Sequence, residues 1–247
     1  MGLFARLRWR SAPTQSFFIC GTPRSGTTLL AGLLSSTKRV GWAGEHFSRS
    51  NEPDWAADDY GKYIAQCLAK TTRNGVFGAK LLATDVQHFL ARLHGLPRRS
   101  GLADRALIEA SFPQPRFLFT SRGDVVAQAV SWSKADQTGE FYAGDDRATG
   151  RAPSFDYEAI RQLVAEITEG TEQWRRWFAA NGIEPFPVLY ENLVADKIRT
   201  TRAALRFLGI EPPARLTAAE TTTKQSDAVN DEWIARYHRM AGERSGR

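Results

Sequence analysis

Short apolar runs alternate along the chain with longer stretches of helical periodicity. Phe17-Phe18-Ile19-Cys20 reads as a buried strand, and Leu29, Leu30, Leu33 and Leu34 follow at helical spacing. Asp58 to Thr72 reads as a helix with Tyr60, Tyr63, Ile64, Cys67 and Leu68 on one face. Gly75 to Lys80 is a second strand, and Thr84 to Leu93 a helix opened by Thr84 or Asp85 at its cap. Leu102 to Ala110 is helical. Pro115 to Arg122 is a third strand, from which Gly123 and Asp124 turn into a helix over Val125 to Ala135. The longest helical pattern, Asp156 to Ala180, carries Ile160, Leu163, Val164, Ile167, Trp174 and Phe178 on its apolar face and stops at Asn181-Gly182. Pro187 to Tyr190 is a fourth strand, which Glu191-Asn192-Leu193 leave. Asp196 to Leu208 is another helix, stopped by Gly209, and a short final helix surrounds Trp233 and Tyr237. The polar stretches Asn51 to Asp59, Glu140 to Pro153 and Thr221 to Asp231 read as loops, the second of them a candidate lid. Strands alternating with helices predict an α/β fold, a parallel β-sheet flanked by α-helices. The 247 residues suit a single domain, residues 16–247, behind a basic N-terminal tail, residues 1–15.

The first strand runs into Gly21-Thr22-Pro23-Arg24-Ser25-Gly26-Thr27-Thr28 and then into the first helix. A strand, a Gly-bounded loop and a helix in that order aim backbone N–H groups at a phosphate-like anion. The spacing matches the nucleotide-binding P-loop, G-x-x-x-x-G-K-[ST], except that Thr27 holds the Lys position and the cation stands three residues earlier, at Arg24. An NTPase or kinase needs that Lys on the β- and γ-phosphates and an acidic residue for Mg²⁺, whereas the third strand here ends on Ser121-Arg122. A P-loop kinase or NTPase is therefore the weaker reading. A non-catalytic nucleotide-binding protein on the same scaffold is the other alternative.

Composition narrows the partners. Lys and Arg number 33 against 27 Asp and Glu, a formal net charge of +6, which favours an anionic partner of some kind. No basic run is interleaved with aromatics, so a nucleic-acid surface is not expected. Cys20 and Cys67 offer no disulfide framework and read as reduced core thiols of a cytoplasmic protein. His46, His88, His94 and His238 lack metal-ligand spacing, and no metal is expected. No run reaches transmembrane length. Arg6, Arg8 and Arg10 precede no apolar core, so the tail is not a secretory signal. Leu3, Phe4, Leu7 and Trp9 beside them allow at most peripheral contact with the inner face of a membrane, against a plain frayed tail.

The stretch P-R-S-G-T-T resembles the 5′-phosphosulfate loop of sulfotransferases that use 3′-phosphoadenosine-5′-phosphosulfate (PAPS). Three further stretches resemble bacterial PAPS-dependent sulfotransferases of the trehalose 2-sulfotransferase type. They are NGVFGAKLL (Asn74 to Leu82), SRGDVVAQAVSWSKADQT (Ser121 to Thr138), and WRRWF with VLYENL (Trp174 to Phe178, Val188 to Leu193). The tail KQSDAVNDEWIARY (Lys224 to Tyr237) is also similar. The resemblance implies a P-loop α/β fold, PAPS as sulfuryl donor, sulfation of a hydroxyl on a carbohydrate or glycolipid acceptor, and a homodimer in some members. It implies that Thr22, Pro23, Arg24, Ser25, Gly26, Thr27 and Thr28 cradle the donor. It also implies that Arg122 and Ser131, spaced by nine as in the trehalose type, bind the 3′-phosphate. Lys224 is a candidate further phosphate contact, and Tyr190 a candidate to pack on the adenine. Sulfuryl transfer needs the donor held, charge on the leaving phosphate neutralised and the acceptor proton accepted. Arg24 suits the neutralising role, because a guanidinium binds two oxygens at once. Glu45 is carried over as the base from the glutamate that follows the first helix in the family, in a segment about two residues shorter here. Adjacent His46, whose ordinary pKa suits proton transfer, is the alternative. Lys80 either faces the site or is structural. Trp42 to Asp59 and Glu140 to Pro153 are the segments expected to select the acceptor.

Overall fold

The computed structural model describes residues 13–141, 149, 152–216 and 228–245. Four parallel strands, β1 (Gln15–Gly21), β2 (Val76–Leu82), β3 (Pro115–Ser121) and β4 (Phe186–Leu189), lie in the order β2-β1-β3-β4. Nine helices are described: α1 (Thr27–Ser36), α2 (Tyr60–Thr71), α3 (Val86–His94), α4 (Asp104–Ser111), α5 (Val125–Thr138), α6 (Tyr157–Ala180), α7 (Tyr190–Ala195), α8 (Lys197–Phe207) and α9 (Ala228–Ser245).

Because successive strand residues face opposite ways, each strand serves two cores. Phe18, Cys20, Phe77, Ala79, Leu81, Phe117 and Phe119 pack against α2, α3, α4 and the end of α6. Phe17, Ile19, Leu118 and Val188 pack against α1 and α8 on the other face. A sheet covered on both faces explains why its strands read as continuous apolar runs instead of alternating ones. A third cluster joins α5, α6 and α9 through Ile160, Ile167, Trp132, Trp233 and Tyr237.

Helix starts follow the sequence closely. Asp59, Asp124, Asp156 and Asp196 each accept the amide three residues on, at Lys62, Ala127, Ala159 and Arg199. Asp85 precedes α3 but turns its carboxylate to the Arg49 amide, 3.4 Å away, instead of capping. Three other expectations are corrected. Residues 191–193 belong to the short helix α7, which begins at Tyr190, because β4 ends at Leu189. The Asn51 to Asp59 stretch contains a single 3-10 turn, Asp54–Ala57. The last helix is long, spanning 18 residues, and its Trp233 and Tyr237 are anchored in the α5–α6 cluster. Cys20 and Cys67 are free and buried. Among the described residues no helix is long and apolar enough to cross a membrane. Residues 1–12 of the tail, most of the candidate lid and Lys224 lie outside the described residues.

From β1 the chain crosses to β2 on one side and later returns to β3 on the other. The crevice beyond the carboxyl ends of β1 and β3 is therefore the switch point at which open α/β sheets bind ligands. Trp174 holds this edge from below. It is 1% exposed, stacks on Phe178 at 5.3 Å and donates its indole N–H to the Gly21 carbonyl at 3.0 Å. Trp174→Ala should cost about 3–5 kcal/mol in urea denaturation, as for other buried aromatics cut to Ala. Trp174→Phe, which mainly loses the hydrogen bond, should cost markedly less.

Candidate active site

The loop after β1 is held from three sides. Thr120 on β3 donates to the Cys20 carbonyl at 3.1 Å and shares a hydrogen bond with Ser25 Oγ at 2.8 Å. A Cβ on Gly21 would stand 2.3 Å from Thr120 Oγ1, so only glycine fits where β1 passes into the loop. Gln128 on α5 donates its amide to Thr22 Oγ1 at 2.8 Å and to the Pro23 carbonyl at 2.6 Å. Two loop residues take positive φ, Arg24 at 63° and Gly26 at 93°. Gly26 also lies under the Tyr190 ring, whose Cδ2 is 2.8 Å from where a Cβ would be. Thr27 opens α1 and is buried, with Thr28 half-buried beside it.

Arg24 and Ser131, 107 residues apart in sequence, meet here: Arg24 Nε donates to Ser131 Oγ at 3.0 Å. Arg24 Nη1 also donates to the Phe141 carbonyl. Burial lowers the Arg24 pKa from its ordinary value. Tyr190, Asp136 and Glu140 oppose that shift, and the neighbouring charge of Arg122 adds to it. Two guanidinium groups thus share the mouth of the loop. Arg122 sits over the Tyr190 ring, its guanidinium carbon 4.6 Å from the centroid. Its Nε is buried without a hydrogen-bond partner among the described residues, although Glu191 Oε1 stands 3.9 Å away. Glu191 is itself engaged, accepting the Gly123 amide at 3.1 Å and the Asp124 amide at 3.4 Å.

On the other flank, the Lys80 side chain, 8% exposed, donates to Thr28 Oγ1 at 2.9 Å and pairs with Glu45 Oε1 at 2.9 Å. Its neighbours Ala79 and Leu81 face the α2–α3 core, so Lys80 faces α1. The segment before Glu45 runs along β2 as an added partial strand: Gly44 bridges Ala79, and the Lys80 amide donates to the Gly44 carbonyl at 2.7 Å. Glu45 and His46 go to opposite sides. The His46 ring packs on Phe77 at 5.9 Å, its carbonyl accepts the Tyr63 hydroxyl, and its Nε2 is buried without a partner among the described residues. Burial lowers the His46 pKa, against a hydrogen bond to the Trp42 backbone, and the charges of Lys70 and Lys80 lower it further. Among the described residues no group of three or more His, Cys, Asp and Glu has the geometry to hold a metal ion.

A Gly-bounded loop at the switch point of a parallel sheet, with two guanidinium groups converging on it, defines a P-loop-type protein. The chain belongs to the Stf0 sulphotransferase family, whose sequence profile matches residues 16–240. It is 29% identical to a trehalose 2-sulfotransferase of Mycolicibacterium smegmatis over 92% of this chain and 95% of that one. It is likewise 29% identical to a trehalose 2-sulfotransferase of Mycobacterium tuberculosis, over 94% and 97%. The crystal structure of a sulfotransferase from Alicyclobacillus acidocaldarius shares the fold, with a TM-score of 0.50 at 17% identity over 92% of both chains. The resemblance carried by the separate motif stretches therefore extends along nearly the whole chain. The kinase and the non-catalytic readings are not favoured.

Lys80, Gln128 and Thr120 hold the site together from outside the Gly-bounded loop. A lysine in an otherwise apolar strand was a visible signal. Gln128 lies one helical turn before Ser131, and that spacing puts both on one face.

Two outcomes follow. Gly26→Ala combines a left-handed backbone with a clash against Tyr190, so it should abolish anion binding at the loop in a calorimetric titration. Because His46 is buried with a lowered pKa, the unfolded chain binds its proton more readily than the folded one. Stability should be complete above the ordinary imidazole value of about 6.5 and fall as pH drops through the lower folded value. Urea denaturation across that window should show a slope that His46→Gln flattens, the paired comparison cancelling Asp85 and Asp136, whose pKa values burial raises.

Proposed function

We propose that this sulfotransferase moves a sulfuryl group from PAPS to a hydroxyl of a carbohydrate, free or carried on a glycolipid. The observation that carries this reading is the buried Lys80 ammonium, 2.9 Å from both Glu45 and Thr28. It sets a carboxylate on one side of a fixed cation and the helix that opens from the anion loop on the other. A base for the acceptor and a cradle for the donor are thereby neighbours, as a single in-line displacement requires.

The residues present suit the donor. The loop amides and Arg24 meet the 5′-phosphosulfate, and Arg122, whose buried Nε lacks a hydrogen-bond partner among the described residues, meets the 3′-phosphate together with Ser131. Tyr190 is stacked under Arg122 and over Gly26, so it braces the two halves of the donor site. In the transfer the acceptor oxygen forms a bond to sulfur while the bond from sulfur to the phosphate oxygen breaks. Glu45 takes the acceptor proton, and the product nucleotide 3′-phosphoadenosine-5′-phosphate (PAP) leaves with its new charge met by Arg24 and Lys80. Glu45 is favoured over His46 because the imidazole packs on Phe77, on the opposite side of β2 from Lys80. The two similar proteins act, by name, on trehalose, which makes a disaccharide the first acceptor to try.

Calorimetric titration with PAP in the presence of chelator tests the donor site. Arg24→Ala and Arg122→Ala should each weaken binding about 10- to 100-fold, the scale of a charged hydrogen bond. Glu45→Gln should lower kcat by about 10²–10⁴ with PAP affinity unchanged, measured with radiolabelled donor and a panel of sugars. Tight binding of ATP with Mg²⁺ and indifference to PAP would overturn the reading.

A further inference from the structure

The loop residues Thr22-Pro23-Arg24-Ser25 form a reverse turn closed by the Ser25 amide on the Thr22 carbonyl at 3.2 Å. Proline in the second position and a positive φ of 63° in the third define a type II turn. That turn wants glycine or asparagine third, because an L side chain in the left-handed region is strained. An arginine stands there instead. The type I alternative would relieve the strain by rotating the central peptide, Pro23–Arg24, through about half a turn. Something must hold that peptide in its strained sense.

The holder is on α5. Gln128 is 1% exposed, and its side-chain amide donates to the carbonyl of that central peptide, Pro23 O, at 2.6 Å and to Thr22 Oγ1 at 2.8 Å. No described peptide bond is cis, and in a trans peptide the carbonyl and the following N–H point oppositely. Fixing Pro23 O on α5 therefore fixes the direction of the Arg24 amide away from α5. It also fixes the exit of the Arg24 side chain, which returns to the same helix face one turn on, at Ser131.

We propose that Gln128 is a positioning residue for sulfuryl transfer: it holds the donor loop in the type II form that aims the Arg24 amide and guanidinium at the donor. Gln128 touches no reacting atom and acts only through the loop. The inference rests on the donor reading above.

The test compares Gln128→Met, which keeps the volume and removes the donors, with Gln128→Glu, which keeps the shape and when ionised only accepts. Ser133→Ala is the control, a buried polar change on the same helix at a hydroxyl that accepts from the Gln137 side-chain amide at 3.3 Å. PAP affinity is read by calorimetry, acceptor KM at saturating donor by radiolabel, and folding by thermal melting. Both Gln128 variants should bind PAP at least about 10-fold more weakly than wild type, the worth of one buried hydrogen bond, with acceptor KM unmoved. Ser133→Ala should melt lower yet bind PAP as wild type does. If wild type binds PAP and either folded Gln128 variant binds it equally well, the positioning role is wrong and the donor reading stands. Equal weakening by Ser133→Ala would also overturn it, since α5 would then matter only as a whole. Failure of wild type to bind PAP overturns both.

Discussion

Like charges gathered in one half-buried crevice repel, and much of the polar structure of this protein answers that constraint. Arg24, Arg122 and Lys80 all stand at the carboxyl edge of the sheet, and each is held by groups that fix direction. Arg24 is tethered to Ser131, Arg122 lies on Tyr190, and Lys80 is clamped between Thr28 and Glu45. Burial and the charge of Arg122 both weigh against the charged form of Arg24, a cost that a multiply charged anion would offset. Glu191 and Glu45 moderate the field from the rim without filling the loop.

The strain of the loop has the same logic. A left-handed arginine persists only where its surroundings over-determine it. Ties reach the β1–α1 loop from β3 through Thr120, from α5 through Gln128 and from α6 through Trp174, so three elements distant in sequence converge on one turn. The shape of the loop is in this sense a property of the packed sheet and its helices.

Much of this was legible beforehand. The alternation of apolar runs and helical periodicity placed the four strands and most helices, and the aspartates before α2, α5, α6 and α8 marked their starts. The family resemblance points to Arg122 and Ser131, but not to Ser131 receiving Arg24. Lys80 could be read as facing the site or as structural, because strand alternation assigns a face only once the neighbouring helices are in place. Glu45, carried over as the base, and His46, its alternative, are adjacent letters. The partial strand beside β2 sends one to Lys80 and the other to Phe77.

What the sequence determined alone was local: which segments are strand or helix, where the chain must turn, and that a Gly-bounded loop with a displaced cation awaits an anion. These follow from backbone sterics and from apolar periodicity, which act over a few residues. Tertiary structure decided which charges meet. It brought Arg24 to Ser131, 107 residues away, and Lys80 to Thr28, 52 residues away. The reason is that side-chain direction at a sheet edge depends on register and on the helices packed against each face, and no short window of sequence contains either.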